Sequence, residues 1–233
     1  FDVNAVSTRN ISAESYILLE AQTGEIIASA NEYVQRPMAS TTKIMTTLLL
    51  IESGNLEEEF KVDNEAIKVE GSSMGLCEND ILTKLALCYG MMLPSGNDAA
   101  NQTAILLAKD IESFALMMNE RAQKIKMKNT NFVTPNGLDG VSHDGKMHTT
   151  TAEDLAKIMS YCIMDSTQKD MFLEITQTRN YGFSEQNGKR HFQCRNHNTL
   201  LDMMPDAISG KTGYTSKAGY CYVGALENDG RTF

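Results

Sequence analysis

Apolar residues alternate or cluster at the two ends of the chain and recur at helical spacing between them. Ser15 to Glu20 and Glu25 to Ala30 are apolar-rich runs flanking Gln22-Thr23-Gly24, which predicts a hairpin. Arg36-Pro37-Met38-Ala39 then leads into a periodic apolar stretch that opens at Ser40 and stops near Gly54, a predicted helix. From about 55 to 205 the pattern is mostly helical with loops. One helix is predicted from Ile81 to Met92, halted by Pro94, with two more from Asp98 to Lys109 and from Ile111 to Met127. Pro135-Asn136-Gly137, Asp139-Gly140 and Asp144-Gly145 mark an irregular loop between Asn129 and Met147. Thr150 and Glu153 read as a capping box for a helix running to about Met164. Ala207 to Thr212 and Tyr220 to Leu226 are candidate strands. Asn228-Asp229-Gly230 signals a hairpin turn, and Arg231-Thr232-Phe233 opens a further strand.

Strands at both ends and helices in the middle predict an α/β (α+β) domain. Its closure is one mostly antiparallel sheet built from both chain ends, with an inserted helical lobe. The expected division is a sheet lobe of about 1–54 and 205–233 and a helical lobe of about 55–204, within one domain of 233 residues. A hairpin turn without a full return strand predicts that the native protein continues past Phe233. The start at Phe1, without a basic segment or cleavage motif, predicts that any export signal is already gone. No apolar run approaches the ~18 residues that span a bilayer.

Hydrophobic content of 42% with 22% charge suits a globular domain, and a net charge of −9 disfavours a nucleic-acid partner. Five cysteines without a C-x-x-C pair predict buried free thiols rather than zinc or a disulfide framework. His143, Asp144, His148, Cys194 and His197 match no firm ligand spacing, so neither a metal nor another cofactor is expected.

Three short strings carry the candidate chemistry: Ser40-Thr41-Thr42-Lys43, Ser95-Gly96-Asn97 and Lys211-Thr212-Gly213. A lone S-x-x-K arises by chance about once per chain of this size, but the ordered set of three arises in well under ~1% of chains. Ser40 and Lys43, three apart on a helix, share a face. A serine hydroxyl is a weak nucleophile until a base takes its proton, and a lysine is a base only when neutral. An ordinary lysine is less than ~0.1% neutral at pH 7, so a fall of about 3 pH units in its pKa, roughly 4 kcal/mol, is required. Burial and a second cation supply such a fall, and Lys211 is the obvious cation, itself expected to stay charged. The Pro94-Ser95-Gly96-Asn97 turn is stiff. It suits Ser95 to a proton relay and Asn97 to hydrogen bonds with substrate and Lys43. Lys211 and Thr212 are expected to clamp a carboxylate, and Gly213 to let a substrate backbone lie against the strand. The N–H groups of Ser40 and Tyr214 are the candidate oxyanion hole.

These strings resemble those of low-molecular-mass penicillin-binding proteins, the serine-type D-alanyl-D-alanine carboxypeptidases of the peptidase S11 family. Gly71-Ser72-Ser73-Met74, Leu93-Pro94-Ser95-Gly96-Asn97-Asp98-Ala99-Ala100, Asn136-Gly137-Leu138, Thr150-Thr151-Ala152-Glu153-Asp154 and Ser209-Gly210-Lys211-Thr212-Gly213-Tyr214-Thr215 extend the likeness over nearly the whole chain. The resemblance implies a β-lactamase/transpeptidase-like fold and a peptidoglycan stem peptide ending in D-Ala-D-Ala as substrate. It implies an acyl-enzyme on Ser40, slow release of β-lactam antibiotics from it, and an extracytoplasmic setting. The family's C-terminal amphipathic membrane anchor is not part of this sequence. Many relatives carry Asn-Arg-Asn ahead of the third string. Here Asn196-His197-Asn198 follows Arg195, so either His197 or Arg195 is placed to assist Lys211. A class A β-lactamase needs a glutamate four residues before an asparagine, and no glutamate here meets that spacing. A non-catalytic β-lactam sensor would keep Ser40 and Lys43, but the segments at Gly71 and Thr150 favour the carboxypeptidase.

Overall fold

The structure, a computed structural model, describes residues 11–233, so the first ten residues assigned to the sheet lobe lie outside the described residues. Strands β1 (Tyr16–Leu19) and β2 (Ile26–Ala30) pair antiparallel as the expected hairpin. The Glu20 carboxylate pins the turn by accepting the Thr23 N–H at 2.7 Å and its hydroxyl at 2.5 Å. At the other end, the chain folds into a ladder that becomes strands β7 (Ala207–Thr215), β8 (Gly219–Asn228) and β9 (Arg231–Thr232), all antiparallel. The two ends meet where the Ala21 N–H donates to the Thr232 carbonyl at 2.7 Å.

Between them lie helices α1 (Lys43–Glu52), α2 (Lys84–Met92), α3 (Asn97–Ala108), α4 (Ile111–Lys124), α5 (Ala152–Ser160), α6 (Lys169–Gln177) and the short α7 (Leu200–Met203). Strands β3 (Glu59–Lys61) and β4 (Ile81–Thr83) form one small antiparallel pair, and β5 (Asn180–Ser184) and β6 (His191–Arg195) another. Helix α2 is the centre of the core. Ala86, Leu87, Cys88, Tyr89, Met91 and Met92 are all buried, so it has no solvent face, as its nearly unbroken apolar run requires. Helices α1, α3 and α6 pack around it. No helix among the described residues is long and apolar enough to cross a membrane.

Four expectations are corrected. The predicted helix from Ile81 begins as β4, because the Thr83 hydroxyl caps α2 by accepting the Ala86 N–H and ends the strand there. Ser40 does not open an α-helix but sits in a 3₁₀ turn, Ala39–Thr42, ahead of α1. The cap of α5 is Thr151, which accepts the Asp154 N–H at 3.1 Å; Thr150 is instead bridged to Arg36 through the backbone. The middle of the chain also holds strands that helical periodicity concealed. β5 and β6 bury alternate residues, and Phe183 stacks on Phe192 across the pair. Of the five free cysteines, Cys88, Cys162 and Cys194 are buried as expected, Cys221 is half-buried and Cys77 is exposed.

Candidate active site

Ser40, Lys43, Ser95, Asn97 and Lys211 are spread over 172 positions of sequence from first to last; direct hydrogen bonds join Lys43 to Ser40 and Asn97, and Lys211 to Ser95, which lies two residues before Asn97 in the same turn. The 3₁₀ turn explains the first link. Side chains at i and i+3 eclipse in that geometry, which brings Lys43 Nζ to 2.8 Å from Ser40 Oγ. Lys43 is fully buried, and its amine also donates to Asn97 Oδ1 at 2.7 Å and to the Asn136 carbonyl at 2.6 Å. Both of these partners can only accept, whereas the serine hydroxyl can donate. The three partners accommodate an ammonium donating to each, and equally a neutral amine that donates two N–H bonds and turns its lone pair to the Ser40 proton. The electrostatics favour the neutral amine. Burial pushes the Lys43 pKa well down and the Lys211 charge adds to the fall, while Asp98 opposes it.

The second string is held from two sides. Ser95 adopts a left-handed backbone (φ 64°) at the turn into α3. The Gly96 N–H donates to the Gly90 carbonyl at 2.8 Å. A Cβ at Gly96 would lie 2.8 Å from Asp98 Oδ1 and 3.0 Å from both the Gly90 oxygen and the Met74 nitrogen, so a side chain there would crowd the turn. Asn97 donates from its backbone to Ser72 O and from Nδ2 to Glu70 O, each at 2.7 Å. Buried Asp98 gathers the N–H groups of Met74, Gly75 and Leu76 and the Ser73 hydroxyl. The segment 70–76 is thereby stitched to the start of α3.

The third string lies on β7. Lys211 is buried, donating to Ser95 Oγ at 3.0 Å and to the Thr212 carbonyl at 2.7 Å. Its two hydrogen-bond partners are uncharged, and burial lowers its pKa to about 7, so its charge is sensitive to pH near neutrality. A carboxylate arriving at the ammonium would raise the pKa again. At Gly213 the strand presses against the serine turn, and a Cβ there would meet the Ser40 nitrogen at 2.7 Å. Thr212 is partly accessible beside it, and the Tyr214 ring is exposed and packs against Tyr220 across the ladder. His197 and Arg195 are both exposed. The imidazole pKa is lowered by desolvation and by the positive charges of Lys211 and Arg195, so His197 offers a neutral ring rather than a cation.

Three contributors went unrecognised in the sequence. Asn136 supplies the carbonyl that holds Lys43; in the sequence it stood out as a Pro-Asn-Gly turn and within the family-like Asn136-Gly137-Leu138, with no sign of that role. Asp98 was visible only as the start of a predicted helix and as a member of the family-like segment Leu93–Ala100. His148, weighed as a metal ligand, is instead buried against Thr42. Among the described residues no three His, Cys, Asp or Glu side chains cluster as a metal site. A cavity of about 980 Å³ lies among Ile17, Leu19, Met159, Val223 and Ala225, and none of Ser40, Lys43, Ser95, Asn97 and Lys211 lines it.

Comparison with known proteins follows the same line. The peptidase S11 pattern, D-alanyl-D-alanine carboxypeptidase, matches residues 2–232. The chain is 32% identical over 219 residues to D-alanyl-D-alanine carboxypeptidase DacB2 of Mycobacterium tuberculosis, covering 94% of this chain and 72% of that one. It is 29% identical to DacF of Bacillus subtilis, over 92% of this chain but 54% of that protein, so it spans only about half of some curated relatives. Among solved structures, a D-alanyl-D-alanine carboxypeptidase from M. tuberculosis aligns with TM-score 0.85 at 30% identity, over 94% of this chain and 80% of that one. A variant of a Streptomyces DD-transpeptidase aligns with TM-score 0.85 at 28% identity, over 95% and 88%.

Proposed function

We propose, from the premise that the chain belongs to the peptidase S11 family of D-alanyl-D-alanine carboxypeptidases, that it is a working serine DD-carboxypeptidase. It removes the terminal D-alanine of peptidoglycan stem peptides outside the cytoplasmic membrane, as one transpeptidase-like catalytic unit. The observation that carries this reading is the buried Lys43 amine, 2.8 Å from Ser40 Oγ and with its other two partners able only to accept.

In this reading Ser40 Oγ attacks the penultimate carbonyl while neutral Lys43 takes its proton. The Ser40 and Tyr214 N–H groups hold the oxyanion, where one such donor typically contributes about 2.7–4 kcal/mol. The Lys211–Ser95 hydrogen bond makes Ser95 the relay that delivers a proton to the departing amine. Lys211 and Thr212 bind the free carboxylate, Asn97 hydrogen-bonds the peptide, and Gly213 lets its backbone approach β7. His197 at the rim offers a neutral hydrogen bond. Water then hydrolyses the Ser40 ester, and a β-lactam forms the same bond but leaves slowly.

The test is D-alanine release from a diacyl-Lys-D-Ala-D-Ala peptide beside hydrolysis of a penicillin. The expected result is peptide turnover with slow penicillin turnover, both abolished in Ser40→Ala. Undiminished release in that variant removes Ser40 as nucleophile, and penicillin hydrolysis outpacing peptide hydrolysis makes the protein a β-lactamase.

A further inference from the structure

We propose that His148 is a positioning residue for the reacting serine, acting through Thr42 on the peptide unit that joins Ala39 to Ser40. The inference rests on the reading of Ser40 as the nucleophile. His148 is 3% exposed, and its Nδ1 accepts the Val133 N–H at 2.9 Å and the Thr134 N–H at 3.3 Å. An accepting ring nitrogen carries no proton, so the imidazole hydrogen is on Nε2. Nε2 lies 2.8 Å from Thr42 Oγ1, and the Thr42 hydroxyl donates to the Ala39 carbonyl at 2.8 Å. The direction of this chain is therefore fixed from end to end: backbone N–H to imidazole, imidazole to hydroxyl, hydroxyl to carbonyl.

The end of the chain is where it matters. Ala39 is buried and holds a left-handed backbone (φ 47°), a strained state for a residue with a Cβ. Its carbonyl and the Ser40 N–H belong to one planar trans peptide, so anchoring the oxygen aims the N–H. The Ser40 nitrogen lies against β7 at Gly213, where a Cβ would approach it to 2.7 Å. A hydrogen bond to the carbonyl also polarises the amide and strengthens its N–H as a donor. On the far side, Gly137 crowds the same carbonyl; a Cβ there would come within 2.0 Å of it. The other nitrogen of the ring holds the loop start at Val133 and Thr134, a few residues before the Asn136 carbonyl that accepts from Lys43. One imidazole thus ties the nucleophile's turn to the loop that holds the base. Burial brings the ring's pKa to about 4, so it keeps its accepting nitrogen at neutral pH.

Thr42→Val removes the hydroxyl with little change of shape, and Thr42→Ser restores it. In Thr42→Val, kcat and penicillin acylation should fall roughly 10–100-fold with KM within about twofold, as a misaimed oxyanion donor predicts. Thr42→Ser should recover most of the rate. The Ser40 amide resonance in ¹⁵N spectra should move in the valine variant and return in the serine one. His148→Gln can still donate to Thr42 but cannot offer the ring acceptor to Val133. It should slow acylation and shift the Asn136 amide. A folded Thr42→Val or His148→Gln enzyme with wild-type rate and unmoved amides overturns the proposal, as does a Thr42→Ser variant no better than valine. If the wild type neither releases D-alanine nor takes penicillin while the Ser40 amide still tracks the Thr42 hydroxyl, the functional reading fails and the positioning stands.

Discussion

Replacing Lys211 with methionine should stabilise the empty protein at acid pH and destabilise it at alkaline pH. The lysine is 1% exposed, and burial brings its pKa from an ordinary 10.5 to about 7. At about 1.36 kcal/mol per pH unit, that difference amounts to roughly 5 kcal/mol of stability forgone whenever the ammonium is charged in both folded and unfolded chains. The penalty is complete below about pH 7. Between about 7 and 10.5 the unfolded chain binds more protons than the folded one, so wild-type stability rises with pH and the penalty fades. Methionine keeps the apolar stem and carries no charge. It forfeits the bonds to Ser95 Oγ and the Thr212 carbonyl, which at about 1–1.5 kcal/mol each come to roughly 2–3 kcal/mol. Lys211→Met should therefore be more stable by about 2 kcal/mol at pH 6.5 and less stable above about pH 9. Lys43 and His197, both held down by the Lys211 charge, add to the gain at low pH. Urea denaturation of both proteins at pH 6.5 and 9.5 reads the crossing. A stability difference that does not change between the two pH values refutes the assignment of a burial-depressed ammonium.

Gly213→Ala puts a methyl 2.7 Å from the Ser40 nitrogen, so acylation by fluorescent penicillin should fall at least about tenfold; an unchanged rate shows that β7 and the serine turn can separate freely. Lys43→Arg should be nearly inactive, because guanidinium does not give up its proton; near-normal D-alanine release from this variant removes Lys43 as base. For wild type, kcat/KM on a peptide with a free carboxylate should fall as pH drops through the depressed Lys43 pKa, where the base is protonated, and also as pH climbs past about 7, where Lys211 loses its charge. An amidated peptide should lack the alkaline fall, and identical profiles for the two peptides exclude Lys211 as the carboxylate clamp.

The hairpins at both ends were legible because alternating apolar runs flank turn residues that few other structures use. The helices from Asn97 and Ile111 were legible from their period, whereas β4 was absorbed into α2 because Ile81-Leu82-Thr83 continues an apolar run without a break. Ser40, Lys43, Ser95, Asn97 and Lys211 were expected to act together from the three strings and the family they resemble. What lay beyond the sequence was second-order: the carbonyl of Asn136, the stitching of segment 70–76 by Asp98, and the strained Ala39. Backbone oxygens have no residue signature, and a left-handed alanine is set by its surroundings rather than its own preference. The lowered pKa of Lys211 was illegible for a related reason, since burial is a tertiary property.

In the proposed mechanism a neutral buried amine, Lys43, arms Ser40. Mass spectrometry of the protein after brief exposure to penicillin, with peptide mapping, tests it most directly. One penicilloyl adduct is expected, confined to the peptide bearing Ser40 and absent from the Lys43→Arg variant. An adduct elsewhere, or full Ser40 labelling without a lysine at 43, contradicts it.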